Sequence, residues 1–185
     1  MNKHLIISIL LIAIFLAGSS CSNNTQKHAI QKVDSLLDLN RQVYKELSEI
    51  GIDSITMMYD TVKKYDNYFA TPEVSNIING NNLVLMYEYG TIDKTFKKLL
   101  KEHYAEMLES LEHRRQQLEN LKQDAENGIL NDSTLLVYLH NEDSLMNFTA
   151  NDVRGRIKFV EQHKQKYYRY HPEILKLIDS LENSR

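Results

Sequence analysis

The chain has 185 residues, with 22 Lys and Arg against 25 Asp and Glu, a formal net charge of −3 at pH 7. That length suffices for one domain with a proper core, and a mixed, mildly acidic surface argues against nucleic acid as a partner. One cysteine excludes a disulfide within the chain, and six glycines and two prolines leave a composition that favours helix.

The chain opens Met1-Asn2-Lys3-His4, followed by an apolar run from Leu5 to Ala17 broken only by Ser8. Gly18, Ser19 and Ser20 come next, directly before Cys21. A charged start, an apolar middle and a small-residue exit are the three parts of a secretory signal. The 13 residues of the run fall short of the ~20 that cross a bilayer. This region, residues 1–21 only, resembles the signal of bacterial lipoproteins, in which signal peptidase II cuts before a cysteine already lipidated on its sulfur. Ser19 and Ser20 fit the family's small positions. Gly18 stands where that family usually has Leu, with Leu16 two residues further back, so ordinary cleavage near Ser19 or Ser20 and a soluble product stay open as the alternative. The resemblance implies lipidation of Cys21 and stable anchoring by several acyl chains. Ser22, in place of an acidic residue, implies the outer membrane. The expected organisation is a signal over residues 1–20, a lipidated cysteine and short polar tether over 21–27, and a single helical bundle over 28–185.

From His28 onward, Ile30, Val33, Leu37, Tyr44 and Leu47 recur at helical spacing, with Asn40 in one slot of the stripe, and Gly51 ends the element. A second helix carries Ile55, Met58, Tyr59, Val62, Tyr65 and Phe69. Thr71-Pro72-Glu73 reads as a cap, a first-position proline and an acidic first turn, opening a short helix to about Ile78. Asn79-Gly80-Asn81-Asn82 is a turn signal. Leu83 to Tyr87 suits a buried strand or helix, and the lack of any partner strand predicts helix. From Asp93, Phe96, Leu100, Tyr104, Met107, Leu111, Leu118, Leu121 and Ala125 keep a near-heptad rhythm over roughly 35 residues, about 50 Å. Asn127-Gly128-Ile129 predicts a Schellman end, and Asn131 or Asp132 caps the next helix. That helix carries Leu135, Leu139, Met146, Val153, Ile157, Val160 and Tyr167, with Phe148 and Phe159 on another face and a bend expected near Thr149 to Gly155. Pro172 is expected to end or kink it, leaving Glu173 to Leu181 as a last helix. The predicted fold is therefore all-α, an elongated antiparallel helical bundle whose two long C-terminal-half helices form a hairpin.

Candidate chemistry is sparse. Glu102, Glu106, Glu109 and His113 share one helix face, but at 100° per residue that face points away from the apolar stripe, so it reads as solvated and not as a metal site. Arg114 falls inside the stripe, where a charge needs an interior ion pair, an outlet to solvent or a bound anion. Arg154, Arg156, Lys158, Lys164, Lys166 and Arg169 interleave with Tyr167, Tyr168 and Tyr170. In an exported protein they suggest a lipid-surface or partner patch, or simply a solvated helix end. No nucleophile motif, phosphate loop, cofactor signature or metal signature is present. The functional expectation is a lipid-anchored, non-enzymatic cell-envelope protein that binds or scaffolds another envelope protein. A small-ligand or anion-binding bundle, using a pocket near Arg114 or the tyrosines, is the alternative, with an enzyme of unrecognised type as the third reading.

Overall fold

A computed structural model describes residues 3–76, 78 and 80–183, with side chains from Asn24 onward except that of Asn81. Cys21 and the leader before it lie outside the residues whose side chains are described. The chain is an all-α helical bundle of α1 (Lys3–Ser48), α2 (Ile52–Phe69), α3 (Pro72–Ser75), α4 (Gly80–Lys98), a π-helical turn (Leu99–His103), α5 (Tyr104–Glu126) and α6 (Asp132–Asn183). Packing divides it into two compact units, one holding α1 up to Gln42 with Ser110–Ala150, the other holding Val43–Glu109 with the rest of α6.

The first unit is a three-helix bundle. α1 buries Ala29, Val33, Leu36 and Asn40, α5 buries Leu111, Leu118, Leu121 and Ala125, and α6 buries Leu135, Leu139, Met146 and Ala150. The steps of three and four between these positions form the seam that lets helices interlock along their length. The pairings fix the directions. Along α1 and α5, Gln26 meets the Ala125 carbonyl, Asp34 meets Lys122, and Asn40 meets the Leu111 carbonyl, so these helices are antiparallel. Lys32 with Asp143 and Asn40 with Met146 make α1 and α6 parallel. The hairpin between α5 and α6 closes as predicted. Gly128 has φ +64°, its N–H donates to Ala125 O, and Ile129 N–H donates to Asp124 O, the paired bonds of a Schellman end. Asn131 Oδ1 then accepts from Thr134 N–H at 3.0 Å, capping α6.

Two expectations shift here. The buried stripe of α1 follows Val33, Leu36, Asn40, Val43 and Leu47, whereas Tyr44 is exposed. The seam tolerates a polar residue because the Asn40 amide, 3% exposed, donates to the Leu111 carbonyl at 2.9 Å. Residues 24–27, expected in the tether, already belong to α1, and the Gln26 contact starts the folded body there.

The second unit packs the end of α1, α2, α3, α4 and the C-terminal part of α6. α2 buries Ile55, Met58, Val62 and Phe69, and α4 with the π-turn buries Tyr89, Ile92, Phe96 and Leu99. Leu83 to Tyr87 are helical, within α4, but Leu83, Val84 and Tyr87 are exposed where burial was expected. Gly51, at φ +71°, makes the reversal between α1 and α2 that a side-chain-bearing residue resists, and Lys164 Nζ donates to the nearby Ile50 carbonyl at 3.2 Å. The predicted stop at Pro172 does not occur. α6 continues to Asn183, so Glu173–Leu181 is no separate helix. Pro172 lies on the solvent side, where water can satisfy the carbonyl it frees, while Ile174, Ile178 and Leu181 hold the buried side together.

The π-turn was not foreseen, and its cause is arithmetical. Buried positions run 89, 92, 96, 99 before it and 107, 111, 118, 121, 125 after it. Between Leu99 and Met107 the chain takes eight residues where the alternation of three and four allows seven. The π-turn takes up the extra residue in one place, so the apolar seam keeps its phase on both sides.

Candidate functional site

A cleft in the second unit has a volume of about 670 Å³ and is walled by α4, the π-turn and α6. Lys94, Thr95, Lys98, Leu99 and His103 form one wall. Asn151, Asp152, Gly155, Arg156, Phe159 and Val160 form the other. Leu99 and Val160 are buried and give an apolar floor. Phe159, 53% exposed, is held by its ring contact with His163, centroids 4.4 Å apart.

Arg156 organises the polar side. Its Nε donates to Asp152 Oδ2 at 2.9 Å, and its Nη1 reaches both His103 Nδ1 and, at 3.4 Å, Glu106 Oε2. His103 Nδ1 also lies 3.1 Å from Glu106 Oε2. One ring nitrogen cannot serve both neighbours, because its lone pair accepts from Arg156 only when it carries no proton to give Glu106. The His103 contact, helped by Arg156 and Lys98, holds the Glu106 carboxyl below its ordinary range. Nη2 of Arg156 makes no hydrogen bond among the described residues, and neither Lys94 nor Lys98 forms an ion pair there.

Two local features border this cleft. One is the π-turn, which supplies Leu99 and His103. The other is Gly155, inside α6 with ordinary helical geometry, where an added Cβ would meet nothing within 4 Å. A mid-helix glycine costs ~1 kcal/mol relative to alanine. Neither backbone need nor crowding calls for one here. Its effect is to leave room in the cleft wall.

The remaining predicted residues take other places. Arg114 pairs with Glu142 at 3.3 Å in the first unit, with side chains 14% and 16% exposed. A smaller cleft of about 360 Å³ nearby is lined by Glu142 but not by Arg114. The cations of the basic segment do not gather into one free patch. Arg154 forks onto Glu46 with two 2.8 Å bonds, Lys164 pairs with Glu161, and Lys166 pairs with Glu88 at 3.0 Å. Arg169 sits over the Tyr170 ring, and Tyr168 is exposed and edge-on to Tyr167. Of that segment only Arg156 reaches the cleft.

Tyr167 instead joins an aromatic layer. Its ring stacks on His171 with centroids 4.7 Å apart, and Tyr89 OH lies 2.8 Å from His171 Nδ1. Burial raises the Tyr89 phenol and lowers the His171 imidazole, so the proton stays on Tyr89 and the neutral ring accepts it in a hydrogen bond. An uncharged, hydrogen-bonded layer of this kind is core material. Beneath it Asp66, next to Gly90, is pushed up to about 6 by burial and by the charge of Asp93.

Glu102, Glu106, Glu109 and His113 are exposed, and among the described residues no group of three or more His, Cys, Asp or Glu side chains is arranged to hold a metal. Among them, too, no helix is long and apolar enough to cross a membrane. His103, Gly155, Lys94 and Lys98 were not singled out by sequence reasoning. The one extra residue in the heptad count and Gly155, a mid-helix glycine whose Cβ would meet nothing, were the signals that could have found the cleft. No protein-family model matches the chain, and no curated protein and no solved structure is significantly similar to it.

Proposed function

We propose that this chain is an exported protein of the cell envelope, anchored at the outer membrane through lipid on Cys21, that acts by binding and not by covalent chemistry. The cleft between α4 and α6 is its binding site. The observation that carries this reading is the coincidence of a π-turn and an unexplained mid-helix glycine on one cleft. Stable helices give up regularity where a site requires it, and the π-turn and Gly155 border the same space. The leader ending at Cys21 supports the location.

Intact-mass and fractionation measurements test the placement. The mature protein should begin at Cys21, carry acyl chains and sediment with membranes, and Cys21→Ser should release it. An unacylated N-terminus near Ser20 would remove the anchor, and an uncut leader in the cytosol would remove export as well.

A protein partner is a second reading, favoured by exposed apolar residues on α6 in the first unit. Val137, Tyr138, Leu145 and Phe148, the last 73% exposed, fall within about 100° of one another around the helix. Changing Val137 and Phe148 to Ser should then abolish a co-purifying envelope partner without altering thermal stability.

A further inference from the structure

Resting on the reading of the cleft as a binding site, we infer that its ligand is an amphiphilic anion, a carboxylate or similar head on an apolar body. Three cationic side chains, Lys94, Lys98 and Arg156, line the cleft against a single lining carboxylate, Asp152. Asp152 is already engaged by Arg156 Nε. Its grip, with those of His103 and Glu106 on Nη1, fixes the guanidinium plane and leaves Nη2 without a hydrogen bond among the described residues. An arginine held from behind loses little freedom when it meets a ligand, and its remaining Nη2 hydrogens donate to a carboxylate oxygen. Lys94 and Lys98, four residues apart on α4, stand on the same side of the helix and add charge, and neither forms a close ion pair among the described residues, although Lys98 acts on Glu106 at longer range.

The head alone does not account for the cleft. A small inorganic anion would leave Leu99, Val160 and the exposed ring of Phe159 uncovered, and it would not need the space that Gly155 provides. A neutral apolar ligand would leave three cations against its surface without return. A head at the cations and a body on the apolar floor satisfies both halves.

The test uses the mature, cell-processed protein labelled with 15N-glycine, since the chain has only six glycines and Gly155 lies in the cleft wall. It is titrated with 4-phenylbutyrate, octanoate, the neutral 4-phenylbutyramide and acetate. The Gly155 amide should shift saturably with phenylbutyrate or octanoate, while Gly51, Gly80 and Gly128 stay still. The tighter of the two assigns the body as aromatic or aliphatic. Phenylbutyramide should bind at least about tenfold more weakly, the size of one charge-assisted hydrogen bond, and acetate should not register.

Saturation transfer from protein to ligand reads the variants. Lys94→Gln with Lys98→Gln should weaken the acids but leave the amide unchanged. Gly155→Leu, which favours the helix while filling the wall, should abolish both. Equal affinity for acid and amide would overturn the anionic class and leave the cleft standing as a binding site. No saturable response to any of the four probes would overturn the binding site itself. Shifts spread equally over all glycines, or binding that survives Gly155→Leu, would show that the acids do not use the cleft.

Discussion

The two units are built from the same kind of helix, yet they use it differently. In the first, the helical spacing keeps one phase along all three helices, the Arg114–Glu142 pair fills the slots between Leu111 and Leu118 and between Leu139 and Met146, and the buried seam residue Asn40 is hydrogen-bonded. In the second, a π-turn, a mid-helix glycine and a raised carboxyl all occur within one packing unit. The π-turn keeps the seam in phase, whereas Gly155 gains no packing and points to something other than folding.

Four measurements would break or sharpen that contrast. The largest effect is expected in the regular unit, where Leu118→Ala removes a fully buried side chain and should cost about 2–5 kcal/mol in chemical denaturation. A loss below ~1 kcal/mol would mean that the seam is loosely packed and the contrast overstated.

Next is Asp66. Its folded-state value near 6 lies above the ordinary carboxylate value near 3.8, so its contribution is fully present below pH 4 and is lost as pH rises through about 6. Asp66→Asn should therefore stabilise the protein at pH 8 by up to ~2 kcal/mol, since the group is partly exposed, and should do almost nothing at pH 4. Parallel thermal melts at the two pH values check the sign. Equal effects at both would show that Asp66 carries no strained charge.

Smaller again, Gly155→Ala should raise stability by ~1 kcal/mol, because helix propensity improves and no atom stands in the way. Destabilisation would give the glycine a structural reason and weaken the case for the cleft. The smallest effect is expected at Arg154→Ala. Its bidentate pair with Glu46 is about two-fifths exposed on both sides, so the loss should stay below ~1 kcal/mol and shrink further in high salt. Arg154 holds the Glu46 carboxyl below its usual range, so this contribution is present above the ordinary carboxylate value and fades as pH falls below it. An undiminished effect at low pH would assign it to packing of the arginine stem.

Much of the fold was legible in the sequence because it rests on local rules. The turn at Asn127-Gly128-Ile129 came from one glycine and one apolar neighbour, and the bonds found there are those the motif requires. The phase of α1 was misread because the seam uses Ala29 and Asn40, which carry no strong apolar signal, while Tyr44 looks apolar and faces water. Pro172 misled because its effect depends on which side of the helix it occupies, and that is set by packing far along the chain. The cleft was least legible. Arg156 was noticed only as one cation among several, and its partners His103 and Glu106 stand about fifty residues away, joined to it by the antiparallel course of α5 and α6.

The extra residue between Leu99 and Met107 has a consequence for how this molecule could change. Because a single turn contains it, deleting one residue there would restore an ordinary helix without re-aiming any core side chain before or after it. The bundle could thus be shortened into a plainer relative of itself, sturdier and lacking the cleft wall, in one genetic step. That such a simplification lies so close at hand makes the retained bulge a trait that selection can act on directly.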